Sequence, residues 1–197
     1  ANFKYSYNKY DPPSAIDGLV NQVKLIKIEA LSRPVLDFLK TDTNKSIPFL
    51  DKDFFIINSG CSNRNDYKKW SPHNYLIICK YLIAKNILPV LIGTESDRES
   101  VEIIKKNMPN CIDLLNKSPL ESIFLLANNA LGALSNDTGP AHLIASTNCK
   151  LHLVLSSRSD VKTVIPQSDN VTFNQSDDIN NIKPNDVKLF IDKMLDD

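Results

Sequence analysis

Glycine is scarce in this 197-residue chain, which holds five, and tryptophan occurs once. A backbone so short of glycine has few positions that admit a close ligand approach without steric cost, so each one is worth locating. Charge of one sign is also lacking: 23 basic and 23 acidic side chains cancel. No global field therefore recruits nucleic acid or an anionic membrane, and any anionic ligand must be held by local groups. The four cysteines, Cys61, Cys79, Cys111 and Cys149, form no CxxC pair and have no histidine at zinc-ligand spacing. They read as reduced thiols serving as small core residues. No apolar run approaches the roughly 18 residues of a membrane span. The opening "ANFKYSYNKYDPPS" has neither a signal-peptide pattern nor an initiator methionine. The expectation is a cytoplasmic chain, read as a processed or excised fragment.

A hydrophobic content of 42% supports one sizeable domain, or one domain with an appendage. After Pro12-Pro13, Ser14 can cap a helix in which Ile16, Leu19, Val20, Val23 and Ile26 recur at helical spacing, and residues 31–53 read as a connector. From Phe54 the pattern becomes regular. "DFFIIN" predicts a strand, and the helix starting near Pro72 carries Tyr75, Leu76, Ile78, Cys79, Leu82 and Ile83 on its inner side. "ILPVLIG" and "NCIDLL" predict the next strands, separated by a helix through Ile103 and Ile104. A helix then follows in "SPLESIFLLANN", with Ser118 as N-cap, Pro119 at N1 and Glu121 at N3. "ALGALS", a short helix in "GPAHLIAST", and "KLHLVLS" complete the alternation. "VTFNQ" is a candidate edge strand, and an amphipathic helix capped around Asn185 closes the chain. Short apolar strands alternating with helices predict an α/β fold, a Rossmann-like three-layer sandwich around a mainly parallel sheet. Ligands of such sheets bind beyond the carboxyl ends of the strands, so three loops matter.

The first is "SNDTGPAH". Thr138 or Asp137 can cap the helix, Gly139 admits a phosphate close to the backbone, Pro140 suits the first turn, and His142 can donate to a phosphate oxygen. The competing reading is an ordinary capped turn with a surface histidine. The second is Asn58 to Pro72, long for an αβ loop, which holds Gly60, Ser62, Arg64, Lys68, Lys69 and Trp70. Ser62 and the backbone can meet a phosphate, with Lys68 opposing a pyrophosphate leaving group. The alternative is a solvated basic loop pinned by Trp70. The third, "GTESDRES", sets Glu95 and Asp97 beyond a strand end, where a carboxylate can take ribose hydroxyls or Ser96 and Asp97 can simply cap a helix. No GxGxxG, no P-loop and no nucleophile elbow is present.

Together these residues resemble the C-terminal half of glycosyltransferase family 9, the ADP-heptose:lipopolysaccharide heptosyltransferases, across roughly Phe54 to Leu155. The family's Pro-Gly-Ala-Ser turn reads here Ser59-Gly60-Cys61-Ser62, and its Lys-Arg-Trp-Pro helix start reads Lys68-Lys69-Trp70-Ser71-Pro72. Its acidic residue after the next Gly-ended strand is Asp97, following Gly93. Its most specific element is present as Asp137-Thr138-Gly139-Pro140-Ala141-His142. The departures are Ser59 for Pro, Cys61 for Ala and Lys69 for Arg.

The resemblance implies one half of a GT-B enzyme. Residues 1–53 would be the end of an N-terminal domain with the interdomain linker, and 54–197 the C-terminal Rossmann-like nucleotide-sugar-binding domain. Gly60, Ser62 and Lys68 would meet the diphosphate or sugar, and Asp97 the ribose. Ser118 to Leu120 would lie along the adenine and Asp137 would face the sugar hydroxyls, while Thr138, Gly139 and His142 hold the phosphates. Lys68 and His142 would stabilise the leaving group, with the general base, an Asp, outside this chain, so that the chain alone would bind nucleotide without turnover. The implied donor is a nucleoside-diphosphate heptose, ADP-linked, and the acceptor is a lipopolysaccharide core or other surface glycan. No metal or cofactor is implied, no nucleic acid is a partner, and peripheral contact with the inner membrane would come through the missing half. A transferase or epimerase of another nucleotide sugar, and a non-catalytic nucleotide-binding module, remain the alternatives.

Overall fold

The computed structural model describes residues 47–60, 66–166 and 168–196. The helix expected at Ser14 to Ile26, most of the connector before Phe54, and Cys61, Ser62 and Arg64 lie outside them. The described chain runs β1 (Phe54–Asn58), α1 (Pro72–Ala84), β2 (Leu88–Gly93), α2 (Arg98–Asn107), β3 (Ile112–Leu115), α3 (Leu120–Asn129), β4 (Gly132–Asn136), α4 (Gly139–Ala145), β5 (Leu151–Ser156), α5 (Val161–Val164), β6 (Val171–Ser176) and α6 (Pro184–Asp196). The strands form one sheet in the order β3-β2-β1-β4-β5-β6. Every pairing is parallel, with Asn58 opposite Ser135 where β1 meets β4. The expected α/β sandwich is therefore present, and "VTFNQ" is an edge strand.

Burial on both faces explains why β1 reads as a continuous apolar run rather than an alternating one. Phe55 and Ile57 point into a core shared with α1, α2 and α6, while Phe54 and Ile56 point into one shared with α3 and α4. On α1 the inner residues are Tyr75, Leu76, Ile78, Cys79 and Leu82, whereas Ile83 is only partly covered. Cys79, Cys111 and Cys149 are free, buried thiols. Burial pushes the Cys149 thiol up to about 12, which keeps it protonated and unreactive.

Of three helix starts, one follows its sequence pattern and two differ from it. Ser71 caps α1 by accepting from His73 N at 3.3 Å, as the Ser-Pro start predicts. Ser118 does not cap α3. The helix begins at Leu120 with Pro119 in the extended cap position, and Ser118 Oγ instead donates back to Leu114 O at 3.3 Å. Asn185 is not a cap either, because Pro184 already occupies the first position of α6. The scarcity of glycine shows at the turns: the two left-handed residues among those described are Asn86 and Asn116, the type that tolerates this conformation best after glycine.

His152, on β5, is buried against the ring of Phe190 at 4.4 Å. Its ring nitrogens meet Thr172 Oγ1 at 2.8 Å and Asn174 Oδ1 at 2.9 Å, stitching β6 to β5. Burial lowers its pKa from the usual 6.5 to about 4, with the Asn174 bond opposing the shift. The unfolded chain then binds a proton below pH 6.5 that the folded chain refuses until about pH 4, so stability falls as pH falls through that window. The expected loss is on the order of 3 kcal/mol by pH 4, read from urea midpoints, with His152→Gln flattening the slope.

Candidate functional site

The carboxyl ends of β1, β2 and β4 open onto one cleft of about 450 Å³. It sits where strand order reverses direction between β1 and β4, the position at which doubly wound sheets receive ligands. The cleft is lined from the β1 side by Asn58, Gly60 and Lys68, from the β2 side by Gly93, Thr94 and Asp97, and from β4 and α4 by Asp137, Thr138, Gly139 and His142. Ser118 also reaches it, while Leu120 stands exposed on the first turn of α3. The tertiary structure thus brings together residues up to 80 positions apart, and Asn58 Nδ2 to Thr138 Oγ1, at 2.7 Å, spans that distance. Of the loop residues singled out from sequence, Cys61, Ser62 and Arg64 lie outside the described positions.

Lys68 ends a short 3-10 turn, Asp66–Lys68, and its Nζ lies 2.6 Å from Asp137 Oδ2. Both side chains are largely covered, at 18% and 9% exposure, so this pair feels a lower dielectric than a surface bridge. Ser159, buried beyond β5, places its Oγ 3.4 Å from the same carboxylate oxygen. The Asp137 carboxylate is thus turned to Lys68 rather than to the start of α4. Thr138 holds the N-cap position with an extended backbone, yet its hydroxyl makes no capping bond because it receives the Asn58 amide. Neither residue caps in the way the sequence suggests. The first N–H groups of α4 are accordingly not covered by a capping side chain, and His142 stands a turn further along on the cleft wall.

Gly139 and Gly60 serve this site for different reasons. A Cβ built at Gly139 would meet nothing within 4 Å, so the glycine leaves open space in the cleft. A Cβ at Gly60 would fall 2.1 Å from Asp97 Cγ, and one at Gly93 would fall 2.8 Å from Asp97 Oδ2. Asp97 is wedged between two glycines and is 7% exposed. Its Oδ2 accepts from Thr94 N at 2.8 Å and Thr94 Oγ1 at 3.2 Å, and its Oδ1 from Ser96 Oγ at 3.1 Å. The carboxylate therefore closes a capping box around the 3-10 turn Glu95–Asp97 while still facing the cleft. Glu95 faces outward, where Arg98 first and Asn116 second hold its pKa at about 2. Gly60→Ala is expected to destabilise the fold by roughly 1–3 kcal/mol through overpacking against the immobilised Asp97. Thermal melting checks this, and Asp97→Ala in the same chain should restore part of the loss.

What sequence reasoning missed is the polar layer beneath the cleft. Asn58, Ser135 and Asn136 are buried and hydrogen-bonded to one another's loops, and Tyr75 OH donates to Asn136 Oδ1 at 2.8 Å. The available signal was the polar ending of two apolar strands, "FFIIN" and "GALSN", at neighbouring positions of the sheet. Among the described residues no cluster of three or more His, Cys, Asp or Glu could hold a metal ion, and no helix is long and apolar enough to cross a membrane.

Comparison with known proteins places this geometry. The Haemophilus influenzae lipooligosaccharide heptosyltransferase 2 is 26% identical over 110 residues, covering 53% of this chain and 32% of that protein. The fold of E. coli ADP-heptose lipopolysaccharide heptosyltransferase II superposes with a TM-score of 0.70 at 18% identity, over 85% of this chain and 54% of that one. An E. coli heptosyltransferase solved with ADP gives 0.69 at 17% identity, over 85% and 52%. The chain thus spans about a third of the curated relative and about half of each solved structure. The model of glycosyltransferase family 9 (heptosyltransferase) matches residues 28–189, which covers every described strand and every cleft residue. This chain belongs to glycosyltransferase family 9.

Proposed function

We propose that this chain is the donor-binding half of a glycosyltransferase, moving a heptose-type sugar from a nucleoside diphosphate, ADP-linked, to a lipopolysaccharide or surface-glycan acceptor. The observation that carries the reading is the convergence of Lys68, the start of α4 at Thr138 and Gly139, and His142 on one cleft at the sheet's switch point. An inverting transfer without a metal needs fixed donors where negative charge develops on the departing diphosphate. Lys68 supplies a cation, the α4 backbone supplies N–H groups, and His142 supplies a further donor. Gly60 and Ser62 belong to the diphosphate side of this reading, Asp97 to the ribose, and Ser118 and Leu120 to the base. Asp137 pairs with Lys68 until donor arrives and then faces the sugar hydroxyls.

Residues 54–197 form the donor domain in this assignment, and 1–53 lead from an acceptor domain. The general base and the acceptor contacts belong to that other domain, as does peripheral contact with the cytoplasmic face of the inner membrane. The chain by itself binds donor without turning it over. Calorimetric titration with ADP tests the reading, and absence of binding would sink it. A panel of ADP-, UDP- and GDP-sugars reads the base preference, a uridine preference being the outcome that moves the assignment to another nucleotide sugar. Gly139→Ala sharpens the test because its two effects have opposite signs. The added methyl meets nothing in the free protein and improves helix propensity by roughly 0.5–1 kcal/mol, so melting is expected to hold or rise. In the complex the same methyl occupies ligand space, and ADP affinity is expected to fall by roughly tenfold.

A further inference from the structure

The buried layer under the cleft has a defined direction of hydrogen bonding. Ser135 Oγ donates to Asn136 O at 2.7 Å, a carbonyl that can only accept. Its single proton is thereby committed, so toward Asn58 at 2.9 Å the Ser135 oxygen can only accept. The Asn58 atom facing it must be the amide nitrogen. That nitrogen's second N–H goes to Thr138 Oγ1 at 2.7 Å, which makes the threonine oxygen an acceptor as well. The Thr138 proton then has to leave in another direction. Ser135 Oγ lies 3.4 Å away, beyond the usual range for an O–H donor, and Thr138 lines the cleft.

Asn136 mirrors this arrangement from the neighbouring strand. Its Nδ2 reaches back to the carbonyls of Ser59 at 3.3 Å and Gly60 at 3.2 Å, and its Oδ1 receives Tyr75 OH. Because a trans peptide sets N–H opposite C=O, holding the Ser59 carbonyl turns the Gly60 N–H away from the Asn136 amide. Each strand end therefore grips the loop that follows the other strand. Asn58, Ser135 and Asn136 are all 2% exposed or less, so solvent offers no replacement for a lost partner.

We propose that Asn58 and Asn136 are positioning residues that form a reciprocal clamp across β1 and β4, fixing the separation of the two cleft loops and committing the Thr138 hydroxyl to donate to a bound diphosphate. The inference rests on the cleft being a diphosphate site, and it assigns a role to two residues that need not touch ligand to act.

A double-mutant cycle tests it, using calorimetric binding of ADP and of inorganic pyrophosphate, with melting recorded for every variant. Asn58→Leu removes both donors at similar volume and is expected to weaken both ligands by about tenfold, the scale of a hydrogen bond to a charged group. Thr138→Val is expected to cost about the same, and the double variant no more than either single one. Thr138→Ser, which keeps the hydroxyl, should bind more tightly than Thr138→Val. A purely structural Asn58 would give additive losses, and additive losses, or unchanged binding by Asn58→Leu, overturn the clamp. If Asn58→Leu does not fold, Asn58→Thr, too short to reach both hydroxyls, carries the same expectation and the same reversal. Failure of the unmodified chain to bind either ligand overturns the diphosphate reading itself, and the clamp with it.

Discussion

Cutting Trp70 back to alanine is expected to destabilise this domain by roughly 3–5 kcal/mol, the range for a large buried aromatic. The indole is 1% exposed where the β1 loop enters α1. It stands edge-on to Tyr75 at 5.0 Å and donates from Nε1 to Ile182 O at 3.0 Å, just ahead of α6. Truncation leaves a cavity between three elements and orphans a carbonyl, so transfer and hydrogen-bond losses add. For a domain of this size the melting temperature should drop by roughly 6–20 °C. Trp70→Phe keeps most of the packing and loses the hydrogen bond, so its cost should be the smaller of the two. Calorimetric melting of both variants decides the matter, and a fall below about 1 kcal/mol for alanine would show that the pocket collapses around the gap. The effect extends to the site, because Tyr75 is the residue whose hydroxyl holds Asn136.

Lys68→Ala should weaken ADP binding by about a hundredfold or more, which corresponds to roughly 3–5 kcal/mol for one partner of a desolvated charge pair. Two losses combine. The cation that faces the diphosphate disappears, and Asp137, only 9% exposed and 2.6 Å from Lys68 in the free protein, remains as a carboxylate beside an arriving anion. Asp137→Asn should act in the opposite direction for ADP, because the Asp137 carboxylate then no longer offsets the lysine charge. For a complete nucleotide sugar that gain should be smaller, since Asp137 is assigned to the sugar hydroxyls. Titrations of the three proteins with ADP separate these effects. Equal affinities for the unmodified chain and Lys68→Ala would remove Lys68 from the site, and a weaker Asp137→Asn would show that the carboxylate positions the lysine more than it competes for it.

Strand and helix placement was legible because short-range patterns carry it. "FFIIN", "LPVLIG" and "LHLVLS" are too short and too β-branched or aromatic to be helices, and their burial on both faces follows from the helices between them. Helix starts were less legible. Ser118-Pro119 reads as a cap followed by the first helical position, whereas the extended backbone of Pro119 sets the start one residue later, at Leu120, and Ser118 turns back to Leu114. Asp97 shows the same limit at the site. Its place beyond a Gly-ended strand could be read directly, but its wedging between Gly60 and Gly93 depends on two loops meeting from different strands.

By itself, the sequence determined the alternation of strands and helices, the loops that open at the carboxyl edge, and the family, since these rest on periodicity and on contiguous motifs such as "SNDTGPAH". Tertiary structure decided how those loops are held against each other. Asn58 and Thr138 are 80 positions apart and Lys68 and Asp137 are 69, so neither pairing leaves a local trace. Parallel pairing of β1 with β4, in a register that sets Asn58 opposite Ser135, brings the two loops together over the buried side chains of Asn58, Ser135 and Asn136, whose polar atoms must find partners within the protein.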